Sequence, residues 1–220
     1  MDGQHRLGGI KVYVEETGSV LNVPFLAFHY LDEDEEIKLF DVINTKAKGI
    51  GTSLSRYLNR DNEDISWIAT QLILKPESPF FSKGSLIGKR SGSKHITLQN
   101  LYNIVSLIIK KSDFQELPKE KILGLILFYF DSIRNLLPKE WDDYKNFKLT
   151  HIVCLNALSV VGNDLLSQHY SFSTQQLNSK DVLKKLNNLK QIDWSTEGNL
   201  KYIKGNAGVK ILAEDIFQCL

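Results

Sequence analysis

From Thr97 to the C terminus the apolar residues of this chain recur at helical spacing, and this periodicity constrains the fold more than any other feature. Leu98, Leu101, Ile104, Val105 and Ile108 form one stripe at three- and four-residue steps, the pattern of a helix with one buried face. Ile122 to Leu137 makes a second, strongly apolar helix, with Pro118 just ahead of it, where the fixed φ of proline suits a helix start. Leu149 to Gln168 makes a third, with Ile152, Leu155, Leu158 and Val161 on its packing face. Ser179 to Leu189, with Ser179 as its cap, and Ala207 to Cys219 complete the set. The longest uninterrupted apolar run, Ile122 to Phe130, is bounded by Lys121 and Asp131. It falls well short of the ~18 residues a membrane span needs, so it reads as a buried helix.

The first 75 residues have a different texture. Leu7 to Gly9 fits a short helix, whereas Lys11 to Glu15 and Val20 to Tyr30 hold β-branched and aromatic runs that predict strands. Val23 to Tyr30 is almost wholly apolar, as in a strand covered on both faces. The acidic cluster Asp32 to Glu36 opens a helix from Glu35 to Lys46, where negative charge suits the N-terminal dipole. A metal site there lacks any further ligand nearby in sequence. Ile37, Phe40, Ile43 and Ala47 give that helix a buried face, and Asp41, Asn44 and Lys48 fall on the other side. Gly49-Ile50-Gly51 breaks it, Thr52-Ser53 caps a helix from Leu54 to Asn59, and another runs from Asp64 to Leu74 before Lys75-Pro76. Tyr57, Trp67 and Phe80 are core anchors, with base stacking as the alternative. The fold expected is α+β: a small α/β lobe over residues 1–75, then a mostly helical part over 76–220 with a basic hairpin.

Charge narrows the function. With 27 basic against 26 acidic residues the net charge is +1, which excludes a histone-like electrostatic binder and leaves nucleic-acid contact to a local patch. One such patch exists. Lys83, Lys89, Arg90, Lys94 and His95 lie between Phe81 and His95, interleaved with Gly84, Gly88 and Gly92 and without an acidic residue. The stretch predicts a hairpin. Its glycines are too close together for a phosphate-binding P-loop, and Arg90 follows Lys89 where that motif has Ser or Thr. Contact with the DNA backbone through Lys83, Lys89, Arg90 and Lys94 stands beside a plain solvated hairpin as the two readings. Cys154 and Cys219 are too few for a disulfide framework or a four-cysteine zinc site. They point to a reducing interior, and with no secretory signal in view the chain is expected in the cytoplasm. His151 and His169 are too far apart along one helix to share a metal and Cys154 sits beside the apolar stripe, so all three read as structural and no metal site is expected. Gly198, Gly205 and Gly208 do not follow a strand in dinucleotide-binding order.

The opening residues carry the other candidate site. In Asp2-Gly3-Gln4-His5-Arg6 the glycine lets backbone approach a ligand, and N–H groups at a following helix start favour an anion. Arg6 can close a bidentate grip on phosphate. A ragged polar terminus is the plainer reading.

Asp2-Gly3-Gln4-His5-Arg6 is letter for letter the motif of the DGQHR-domain proteins, which include the DndB branch of DNA phosphorothioation (sulfur modification) systems, and the chain resembles that family. Val23 to Phe28, Phe40 to Lys46, Ser78-Pro79-Phe80, Ile96-Thr97-Leu98 and Ile192-Asp193-Trp194 resemble its later segments in order. The resemblance implies a lobe distantly like the ParB and sulfiredoxin folds. It also implies a nucleoside triphosphate, ATP or CTP with Mg²⁺, gripped at Gly3, Gln4, His5 and Arg6. Asp2 would orient Arg6, bind the Mg²⁺ or cap the helix, and Asn44 is a further candidate site residue. Because the family's motif follows strands, with an apolar strand residue where Met1 stands, a chain shortened at its N terminus is expected. Two functions follow. One is a nucleotide-binding component of a DNA-modification system acting on DNA, with NTP hydrolysis left open. The other is a non-catalytic DNA-binding transcriptional regulator or assembly partner. DNA, other proteins of such a system and further copies of the chain are the partners implied.

Overall fold

The stretch Lys11 to Glu15, expected as a strand, is helical. In the computed structural model, which describes residues 4–24, 28–41, 51–90 and 94–220, helix α1 spans Gln4–Thr17. It takes in Leu7 to Gly9 as expected and then runs on, with Lys11 and Glu15 paired one turn apart at 3.8 Å. Gly18 ends it in the left-handed region at φ +64°, and its N–H reaches the Val14 carbonyl at 2.9 Å. Of the strand expected from Val20 to Tyr30, residues 25–27 lie outside the described residues, and the described ones form no strand. Val23 and Phe28 are exposed, and no strand lies among the described residues here to satisfy an extended backbone.

Helix α2, Glu33–Asp41, is opened by a reciprocal cap. Asp32 Oδ1 accepts from the Glu35 N–H at 2.8 Å while Glu35 Oε2 accepts from the Asp32 N–H at 3.2 Å. Together with Glu33, Asp34 and Glu36 in the first turn, this gives the acidic cluster the dipole role expected of it. Ile37, expected on a buried face, is exposed. The Phe40 side chain, Ile43, Asn44 and Ala47 lie outside the described residues.

The chain divides into two units at 49/50 and not near residue 75. The physical reason is α4, Asp64–Leu74, which shares the core of the second unit. That unit opens with α3, Thr52–Leu58, and α4 packs on α5, Leu98–Ile109, and α6, Lys119–Leu136. A short α7, Pro138–Asp142, leads to α8, Ile152–His169. Then follow α9, Ser179–Leu186, capped by the side chain of Asn178 where Ser179 was expected, and α10, Gly205–Cys219. Helix α8 is the centre, packed by α5, α9 and α10. Leu101, Ile104 and Val105 bury completely, as do Leu155, Leu158 and Val161. The aromatic anchor Phe80 is also fully buried, edge-on to Phe130 at 5.0 Å. Tyr57 and Trp67 flank the core, with Arg60 over the first ring and Lys119 over the second. Each cation covers one face of its ring.

Sheet is minimal, so the molecule is mostly helical with small β elements, an α+β fold by its parts. Gly84–Ser85 (β1) and Ile96–Thr97 (β2) pair in parallel, Gly84 beside Ile96. Tyr170–Ser171 (β3) and Gln176–Leu177 (β4) form an antiparallel pair. The parallel register corrects the hairpin expected over residues 81–95, because the segment must cross back before it pairs. Glycine is required at 84, where a Cβ would come within 2.6 Å of the Ile73 side chain. No helix among the described residues is long and apolar enough to cross a membrane.

Candidate functional site

The crossing segment between β1 and β2 carries the basic residues, and the fold separates them into two kinds. Lys83 is only 7% exposed, with Nζ 3.0 Å from Asp142 Oδ1 at the end of α7. It pins the segment to the helical body, which corrects its grouping with the DNA-facing residues. A buried ammonium leaves its carboxylate only at a desolvation cost. Lys89, Arg90 and Lys94 are exposed. None of them pairs with a carboxylate among the described residues. Their loop is held from within: Ser85 Oγ donates to the Lys89 carbonyl at 2.7 Å. Gly88 turns at φ +78° against Ser53.

Below Arg90 lies a cavity of about 270 Å³ at the start of α8. Its polar lining is Arg90, His95, Asn100, Tyr144, Lys148, Thr150 and His151, residues far apart in sequence that the fold brings together. The His95 ring stacks on Tyr144 at 4.2 Å and 12°, and its Nε2 lies 3.0 Å from Thr150 Oγ1. His151 Nε2 donates to the Tyr144 carbonyl at 3.1 Å, since a carbonyl can only accept. Lys148 Nζ donates to the Leu200 carbonyl at 3.0 Å. Cys154 closes the floor. Burial pushes its thiol up to about 12 although the Lys148 charge pulls it down, so it is inert structure, in keeping with its place beside the apolar stripe. No three His, Cys, Asp or Glu side chains among the described residues are placed to hold a metal.

The opening motif is only partly described. Asp2, Gly3 and Asn44 lie outside the described residues. Gln4, His5 and Arg6 form the first turn of α1, which carries no acidic residue, with their side chains undescribed. Sequence reading missed Lys148 and Tyr144 and took His151 as structural. The one local signal was the Lys148-Leu149-Thr150-His151 approach to a long helix, polar and free of acid.

No curated protein and no solved structure matches the chain. A family model described as DndB, DNA-sulfur modification-associated, matches residues 1–207. With nearly its whole length covered, the chain belongs to the DndB family, which is associated with DNA sulfur modification.

Proposed function

We propose that the chain is the DNA-contacting, nucleotide-responsive component of a DNA sulfur modification system, working with that system's other proteins. The observation that carries the DNA contact is the set of three exposed cations, Lys89, Arg90 and Lys94, on one segment with no carboxylate partner among the described residues. Cations so placed neutralise phosphates and release counterions. Contacts of this kind position a protein on a duplex without reading its sequence. The nucleotide part rests on Asp2-Gly3-Gln4-His5-Arg6, the DGQHR motif, running into the acid-free first turn of α1. Unpaired N–H groups at a helix start and a guanidinium three residues after a glycine suit a triphosphate. When bound, ATP or CTP with Mg²⁺ would supply a hydrolysable phosphoanhydride. The residues that would hold it are Gly3, Gln4, His5 and Arg6, with Asp2 and Asn44 beside them.

Fluorescence anisotropy with duplex DNA across a salt series tests the first part. Each neutralised phosphate contributes roughly 0.9 to the log–log slope, so replacing Lys89, Arg90 and Lys94 together should lower it by about two to three. An unchanged slope would overturn the contact. For the second part, calorimetric titration of ATP and CTP should show weaker binding to Arg6→Ala than to wild type. Equal affinity would remove the phosphate grip.

A further inference from the structure

We infer that the cavity at the start of α8 is a binding pocket for a phosphate monoester on a small planar or apolar group, a nucleoside monophosphate being the simplest such ligand. Two cationic side chains, Arg90 and Lys148, and two imidazoles, His95 and His151, line it. No carboxylate among the described residues lines it. Lys148 is half-buried, spends one donor on the Leu200 carbonyl, and has no carboxylate within ion-pair distance among the described residues. A partly desolvated ammonium with donors to spare is costly unless an anion meets it. The first turn of α8 points the same way. This helix has no side-chain cap at its start, so its leading N–H groups add positive potential to a site the side chains already define.

Size and walls narrow the ligand. About 270 Å³ lies near the lower limit of small-molecule sites, roughly 300 Å³, which admits one nucleotide and excludes a dinucleotide cofactor. Ile96, Leu200 and Ile203 supply apolar wall beside the stacked Tyr144 and His95 rings. An inorganic anion alone would leave that wall without a partner. The pocket shares Arg90 with the surface contact proposed above but adds Lys148, His95 and His151, and it does not rest on Lys89 or Lys94. The monoester can come from a free nucleotide or from the phosphorylated end of a strand.

Calorimetric titration of the full chain with AMP, adenosine and inorganic phosphate tests the inference. AMP should bind more tightly than inorganic phosphate, and adenosine at least tenfold more weakly than AMP, as expected when a charge-assisted bond is lost. Lys148→Met and Arg90→Gln should each weaken AMP binding about tenfold. Arg6→Ala, and Lys89→Gln with Lys94→Gln, should leave it unchanged; the last pair should still lower the salt slope of duplex binding, so the two sites fail separately. If circular dichroism shows Lys148→Met unfolded, Arg90→Gln at the exposed mouth decides. A 5′-phosphorylated oligonucleotide that competes with AMP where its 5′-hydroxyl counterpart does not identifies a strand end as a source; competition by neither leaves the free nucleotide. No binding at millimolar AMP, equal affinity for AMP and adenosine, or indifference to both pocket substitutions overturns the proposal.

Discussion

Adding one methyl group at Gly162 should destabilise the helical unit, whereas the same change at Gly124 should stabilise it. Both glycines sit inside long helices, where alanine is intrinsically favoured by about 1 kcal/mol. They differ in surroundings. A Cβ on Gly162 would stand 2.8 Å from Tyr129 Cε1 and 2.9 Å from its Cζ, and one on Gly124 meets nothing within 4 Å. Tyr129 cannot swing aside cheaply. It is fully buried, lies edge-on to Phe130 at 5.1 Å, and donates its hydroxyl to the Leu158 carbonyl at 2.7 Å. Leu158 is one helical turn before Gly162, so the hydroxyl approaches α8 where a side chain would intrude. Restoring ordinary contact requires the ring to withdraw by about 0.6 Å. Overpacking of this kind costs about 1–3 kcal/mol, and straining the tyrosine hydrogen bond adds about 0.5–1.5 kcal/mol. Set against the alanine preference, Gly162→Ala should lose about 0.5–3.5 kcal/mol, with about 1–2 kcal/mol as the central value. Gly124→Ala, exposed and uncrowded, should gain about 0.5–1 kcal/mol. Urea unfolding followed by tryptophan fluorescence reports the right unit, because Trp67, Trp141 and Trp194 all fall after residue 50. With a slope of about 2–3 kcal/mol/M, the Gly162→Ala midpoint should drop by roughly 0.5 M. A Gly162→Ala protein as stable as wild type would refute the packing argument.

Glu63 should make stability depend on acid pH. Burial pushes its carboxyl up, but hydrogen bonds from Ser66 and Tyr102 and the Arg56 charge outweigh that and hold it below the usual value. A depressed carboxylate contributes stability above its unfolded value of about 4.3 and loses it as pH falls through the folded one. Glu63→Gln should therefore cost on the order of 1 kcal/mol at pH 7 and progressively less below about pH 4; equal penalties at pH 3 and pH 7 in urea unfolding would contradict this. Cys154, with its thiol held at about 12 by burial, should resist a thiol reagent at pH 8 in the native protein. Mass spectrometry should find Cys219 modified first, and prior modification of Cys154 would show that its pocket floor opens.

Elements whose periodicity or punctuation is local were legible. Asp64 to Leu74, the Leu98 stripe, the run from Ile122 and the last helix each contain their own pattern and stop signal, and each forms within a few residues of its expected limits. Lys11 to Glu15 misled because β-branched and aromatic residues are only a preference. Here the segment carries a lysine and a glutamate one turn apart and a terminal glycine, both of which serve a helix. The described residues of Val20 to Tyr30 form no strand for a complementary reason: an apolar run becomes a strand only when another strand lies beside it. At Phe81 to His95 the glycines suggested a reversal of direction, but Gly84 serves close packing on Ile73 and the chain pairs in parallel.

The basic segment shows why the second site could not be read the same way. Its charges were visible, but Lys83 turned inward to Asp142, 59 residues further on, while Arg90 came to line a cavity with Lys148 and with the imidazoles of His95 and His151. No spacing links those positions. They meet because β1 and β2 run parallel, which brings His95 back beside Thr150. Net charge hides the result as well. A chain with 27 basic and 26 acidic residues is close to neutral, yet it spends Glu33 to Glu36 on the start of α2 and Glu63 on Arg56. None of the described carboxylates lines the cavity, so Lys148 meets none there. An even balance over the sequence is thus compatible with a pocket lined by two cations, and the sign of a site follows from which charges the fold places there.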